Sequence, residues 1–212
     1  MPLDLTSLVD PRHTALLTSE CQEGIIGETS RVRALADVVR RDGVVDRIAA
    51  LAAGARAAGM PVVHCTVETR PDRLGSRANC ALLAFAQSGK GGGLLPGSAA
   101  ARLVTPLGPA ETDYVLARIH GVSPFHGTEL DAILRNLGVQ TIVATGVSLN
   151  VALLGLTIEA VNAGYQVVLP RDATAGMPPE YVEQLFAHTL GLLATVTTSA
   201  AVLDNLGRFV HR

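Results

Sequence analysis

Residues 141–169 read TIVATGVSLNVALLGLTIEAVNAGYQVVL, and the spacing of their apolar side chains changes twice along the stretch. A β-branched run over 141–145 turns through Gly146-Val147-Ser148 into an apolar segment of helical period over 150–163. Gly164 then leads to a second β-branched run over 166–169. Strand, helix and strand in that order form a βαβ unit, which joins parallel strands through a crossover. Outward from this unit the alternation continues. Strands are expected over 14–19, 61–67, 114–119 and 195–198, and helices over 42–58, 79–86, 129–137 and from Pro178-Pro179 to about residue 193, with a last short helix after the final strand. Thr128 with Asp131 three residues on has the spacing of a capping box for the helix that Gly138 closes. The expected class is α/β in three layers, a mainly parallel central sheet flanked by helices, as a single domain over 1–212.

Composition narrows the functions available. With 17% charged and 48% hydrophobic residues and a mean hydropathy of +0.34, the chain is too apolar to be disordered. A net charge of −2, no basic run and 7 aromatic residues (Tyr 3, Phe 4, Trp 0) argue against a nucleic-acid partner. No apolar stretch of about 18 residues would span a membrane, and residues 1–13 lack the apolar centre of a signal peptide. Three sparse cysteines, Cys21, Cys65 and Cys80, point to free thiols in a reducing compartment, and a cytoplasmic location is expected.

In an open parallel sheet ligands bind beyond the carboxyl ends of the strands, so the polar residues there are the first candidates. They are Glu20, Cys21 and Gln22 after the first strand, Glu68 to Arg70 after the second, Arg118 and His120 after the third, and Ser148 to Asn150 after the fourth. The last group opens a helix, where backbone N–H groups and the positive end of the dipole favour an anion; an ordinary capped turn is the plainer alternative.

Three blocks carry a resemblance. Leu16-Leu17-Thr18-Ser19-Glu20-Cys21-Gln22, the stretch from Arg118 to Phe125-His126-Gly127-Thr128-Glu129-Leu130, and Thr145-Gly146-Val147-Ser148-Leu149-Asn150-Val151-Ala152 resemble, in order and spacing, the motifs of the isochorismatase-like (cysteine hydrolase) family. The likeness runs from about residue 14 to 176. It implies that family's fold, a small-molecule substrate, a homo-oligomer and a cis peptide between Val147 and Ser148. Amidases of the family use an Asp, a Lys and a Cys, and the matching positions here hold Glu20, Arg118 and Ala152. A methyl group forms no thioester, so amide cleavage by that route is not expected. Nor does a guanidinium shuttle protons as a lysine can; its fork of donors suits a substrate carboxylate or a developing oxyanion. The isochorismatases proper also lack the cysteine. They cleave a vinyl ether, a reaction that needs a proton donor and a water but no thiol, and Glu20 is the candidate donor.

The expected function is therefore hydrolysis of a small anionic substrate by acid–base chemistry, against the alternative of an inactive relative that binds a metabolite or serves in an assembly. Glu20, Arg118 and Ala152 form the expected centre, with Gln22, Arg70, His120, Phe125, Ser148 and Asn150 as substrate-binding candidates. If the third strand continued to His120, that ring would point the same way as Arg118. The family's metal-binding relatives place an Asp and closely spaced histidines after the second strand; Glu68-Thr69-Arg70-Pro71-Asp72 offers no histidine there, so no metal or other cofactor is expected. The glycine-rich tract 88–93 has Lys90 without a following Ser or Thr, and reads as a flexible loop within a long, lid-like connection.

Overall fold

A computed structural model describes residues 4–88 and 93–210 of the chain. Six parallel strands, β1 (Thr14–Ser19), β2 (Val62–Val67), β3 (Tyr114–Arg118), β4 (Thr141–Gly146), β5 (Gln166–Pro170) and β6 (Thr195–Thr197), form one sheet in the order β3-β2-β1-β4-β5-β6. Neighbouring residues of the inner strands divide between the two faces. Leu16, Val62, Val143 and Val168 belong to one apolar cluster, and Leu17, Val63, Ile142 and Val167 to the other. Both faces are dry, which explains why these strands read as continuous apolar runs.

The first face is covered by α1 (Leu5–Leu8), α2 (Arg33–Arg41), α3 (Val44–Ala57) and α9 (Ser199–Leu206), through Leu8, Val39, Ile48, Leu51 and Val202. The second is covered by α5 (Leu130–Asn136), α6 (Leu154–Asn162) and α7 (Pro179–Leu185), through Leu134, Leu156, Ala160 and Leu185. Helix α7 runs on through a wider π turn, Phe186–Leu190, into the short α8 (Gly191–Leu193). A further helix, α4 (Ala81–Gln87), lies on neither face and buries none of its residues.

Several local expectations are corrected. Helix α2 falls between the expected strand 14–19 and the expected helix 42–58, where no element was expected: Leu35, Ala36 and Val39 alone make its buried stripe, and its remaining positions are partly or fully exposed. Strand β3 ends at Arg118, so the alternation that would have aligned His120 with it does not hold. Thr128 accepts from Leu130 N–H at 3.2 Å, but Asp131 turns to the Tyr165 hydroxyl (2.9 Å) and to Arg135, so the capping box is not closed. The tract 88–93 lies largely outside the described residues.

Below the carboxyl edge, β1, β2 and the start of β3 share a buried polar chain. Thr18 Oγ1 lies 2.8 Å from His64 Nδ1, His64 Nε2 lies 3.3 Å from Asp113 Oδ2, and Asp113 accepts from Arg56 at 3.1 and 2.6 Å. His64 is wholly buried, and burial holds its pKa below the ordinary 6.5 despite the Asp113 carboxylate. Folding thus favours the neutral ring. Its contribution is present above the unfolded-state value and is lost as pH falls through the lower, folded-state one. Urea titrations from pH 7 down to pH 5 should show falling stability, and His64→Gln should flatten that slope; an unchanged slope would exclude His64 as its source.

Candidate active site at the carboxyl edge of the sheet

The strand order reverses beside β1. Chain segments leave β1 toward β2 and β3 on one side and return to β4 on the other, so a crevice opens at the ends of β1 and β4. Here the backbone is drawn close. Val147 N–H donates to the Ser19 carbonyl at 3.0 Å, Gly146 has φ +103°, and a Cβ on Gly146 would overlap the Ser19 backbone. The Val147–Ser148 peptide is cis. A π turn, Leu149–Leu153, then leads into α6, with Val151 and Leu153 N–H both donating to the Ser148 carbonyl at 3.1 Å.

Glu20 follows β1 with φ +55°, a left-handed conformation that a side chain other than glycine adopts at a cost. Its neighbours hold it there. Glu20 N–H donates to the Cys65 carbonyl at 2.9 Å, and its own carbonyl accepts from Gln22 N–H at 2.8 Å. The wholly buried Gln22 side chain donates to the Val67 and Ala101 carbonyls (2.9 and 2.8 Å) and accepts from Val67 N–H (2.8 Å). Gln22 is thus a strap between the end of β2 and the 94–104 segment, not a cavity wall.

Glu20, Arg118, Ser148, Asn150 and Ala152 line one cavity of about 510 Å³. Asn150 also accepts from Met177 N–H at 3.3 Å, tying the turn to the segment before α7. The opposite wall comes from the segment before α2, from α4 and from residues 93–100, and it is mostly aliphatic, including Ile25, Val32, Leu83 and Leu94. Arg31, just before α2, also lines the cavity, with its guanidinium 4.9 Å from the Phe85 ring centroid. Nothing in the spacing of the sequence singles it out.

The remaining candidates lie elsewhere. His120 is exposed and sits against Gly127, where an added Cβ would meet its ring at 3.0 Å. Phe125 is buried in the second core, edge-on to Tyr165 at 5.8 Å. Arg70 pairs with Asp72 at 2.6 Å beside a separate hollow of about 140 Å³.

Electrostatics at the cavity floor are dominated by one ion pair. Arg118 Nη2 donates to Glu20 Oε1 and, at 3.3 Å, to the Val122 carbonyl. Burial pushes the Glu20 carboxyl above the ordinary carboxylate range, and the charge and hydrogen bond of Arg118 pull it down less strongly. The Glu20 side chain is 17% exposed and that of Arg118 only 3%, so the carboxyl faces the cavity with the guanidinium behind it. Arg118 Nε and Nη1 are enclosed by protein and have no partner among the described residues. A ligand meets Glu20 before it meets Arg118.

The thiols stand apart. Cys21 and Cys65 are 0% and 2% exposed; burial pushes Cys65 up to about 12, against the pull of Arg118, and raises Cys21 as well. Cys80 is exposed, and none of the three lines the cavity. Among the described residues no group of three or more His, Cys, Asp or Glu is placed to hold a metal, and no helix is long and apolar enough to cross a membrane.

This three-layer α/β fold, with polar groups gathered at the switch point of a parallel sheet, has the architecture of α/β proteins that bind small molecules at that edge. The isochorismatase domain matches residues 14–201, and the chain belongs to that family of hydrolases. It is 29% identical over 194 residues to the ureidoacrylate amidohydrolase RutB of Methylobacterium radiotolerans, covering 81% of this chain and 70% of that protein. It is 27% identical over 205 residues to the isochorismatase family protein YecD of Escherichia coli O157:H7, covering 93% and 98%. An isochorismatase family protein of Desulfovibrio vulgaris superposes with a TM-score of 0.77 at 30% identity, covering 93% of this chain and all of that one. A cysteine hydrolase of Pseudomonas syringae superposes at 0.78 with 23% identity, covering 99% and 96%, a likeness of fold.

A native thiol titration should therefore count one reactive cysteine, Cys80, and three after denaturation. Rapid native labelling of Cys21 or Cys65 would contradict their placement.

Proposed function

We propose that this chain is a hydrolase that acts on a small substrate by proton transfer from Glu20, with no covalent enzyme intermediate. The observation that carries this reading is the combination of a methyl side chain, Ala152, on the cavity wall beside Glu20 and Arg118 with the placement of every cysteine outside that cavity. The likeness to RutB brings amides into the substrate range to be tested, but a thioester route has no sulfur to use here.

A vinyl ether suits the site. Protonated Glu20 gives its proton to the terminal carbon of the double bond, leaving an oxocarbenium ion and a carboxylate. Water adds to the cation and returns a proton to Glu20, and the resulting hemiacetal or hemiketal collapses to an alcohol and a carbonyl compound. Burial favours the protonated acid at the start, and the carboxylate that forms faces the developing cation. Arg118 acts through Glu20 as a positioning residue: it fixes the carboxyl and keeps its pKa from rising further.

A second reading, a ligand-binding protein without turnover, is favoured by the closed Glu20–Arg118 pair, in which each charge already has its partner. One screen separates the two. Vinyl ethers, esters and amides should include a substrate that is turned over, with Glu20→Gln lowering kcat by about 10²- to 10⁴-fold and intact-mass spectra showing no adduct. The activity should fall as pH rises through the Glu20 pKa, and Arg118→Met, which removes the charge that lowers that pKa, should move this limb to higher pH. An acyl adduct on a cysteine, or turnover equal in Glu20→Gln, would overturn the proposal; ligand-dependent thermal stabilisation without product would support the binding reading.

A further inference from the structure

The walls of the cavity differ in character from its floor. On the sheet side stand Glu20, Ser148 and Asn150; the segment before α2, α4 and the 93–100 segment supply Ile25, Val32, Leu83, Phe85 and Leu94. Helix α4 contributes to that wall although none of its residues is buried, and Leu82 and Phe85 remain 46% and 47% exposed. Leaving two large apolar side chains half in water on one short helix is costly unless something apolar covers them part of the time. The helix is nevertheless held in place: Arg31 stacks on Phe85, and Gln87 donates to the Ser76 carbonyl at 3.0 Å.

Charge is arranged to match. At the floor, Arg118 is already engaged by Glu20, so that end carries no free cation within reach of a ligand and would repel a second carboxylate whenever Glu20 is ionised. Arg31 is different. It is exposed, its guanidinium lies over an aromatic face and makes only a 3.5 Å contact with the Ala86 carbonyl, and no carboxylate pairs with it among the described residues. It is a cation that lines the same cavity as Glu20 and is held against α4, whereas Glu20 follows β1.

We propose that this cavity takes an amphipathic monoanion, an aliphatic or aryl body that lies against α4 and the 25–32 segment with its anionic group at Arg31, which presents the rest of the molecule to Glu20. The inference rests on the reading of this cavity as the substrate site and narrows that reading to a substrate class. A small, fully polar substrate would leave most of the aliphatic wall in contact with water.

Binding tests this without reference to turnover. Isothermal titration of the full chain, and of Glu20→Gln, with linear carboxylates from butanoate to decanoate should show affinity rising about two- to fourfold for each added methylene until the wall is covered. Matched primary alcohols should keep that dependence but bind about two- to fivefold more weakly. Arg31→Gln should erase the difference between acid and alcohol while leaving the chain-length dependence. Leu83→Asn should flatten that dependence, and Phe85→Ala serves the same purpose should Leu83→Asn fail to fold. Affinity independent of chain length, or a full dependence surviving in both wall variants, would overturn the proposal. So would a flat titration together with an oligomer that Leu82→Ser/Phe85→Ser dissociates, since the apolar face of α4 would then belong to a second copy. Loss of turnover in every assay with the dependence intact would refute the hydrolase reading and leave this one standing.

Discussion

The close approach of β1 to β4 at their carboxyl ends is the constraint on which the site depends. Ser19 and Gly146 are paired in register, the Ser19 carbonyl accepts from Val147 N–H, and the space between the two backbones leaves no room for a Cβ at position 146. A side chain there would push the strands apart, and it would also have to adopt φ +103°, which glycine alone reaches without strain. Because the strands do close, the residue after β1 and the turn after β4 open on one crevice. The same reversal of strand order that creates the crevice fixes which residues reach it.

What the crevice holds follows from side-chain length and burial. Glu20 and Arg118 are both long enough to meet directly, Arg118 Nη2 on Glu20 Oε1. A buried pair of this kind gains Coulomb energy but surrenders hydration, and the balance depends on how many remaining donors and acceptors are satisfied. Arg118 leaves two nitrogens unpartnered, whereas Glu20 keeps partial contact with the cavity. Burial of the Glu20 carboxyl nevertheless outweighs the pull of the guanidinium in contact with it, and its pKa lies above the ordinary carboxylate range. The pair holds the carboxyl in a fixed position while burial works against its ionised form.

The sequence made the sheet legible because both faces are dry: runs such as 142–144 and 167–169 are apolar at successive positions, and the helix between them has its own period. The turn residues Glu20, Arg118, Ser148, Asn150 and Ala152 were legible because chain topology alone sends strand ends to one edge, and the motif resemblance gave their order. Other features have no local signature. Helix α2 hides behind Arg33, Arg40 and Arg41, since three buried positions are enough to dock it. His120 was misplaced because β3 ends at Arg118, one residue before the expected end of its strand. Gln22 and Arg31 take their roles from partners about 45 to 79 and about 55 residues away, respectively, separations that no periodicity encodes.

A neutralised floor and an aliphatic wall have a joint consequence for selectivity. A free cation at the floor would bind any small anion and discriminate little between bodies of different size. With that cation engaged by Glu20, the attraction left at depth is chiefly apolar contact, which grows with the area a ligand removes from water and scarcely depends on direction. Orientation must then come from the few polar groups at the two ends: the proton-transfer group and turn at the sheet edge, and Arg31 near α4. Ala152 fits the same logic, because its methyl group adds apolar surface to the cavity that Glu20 and Arg118 line.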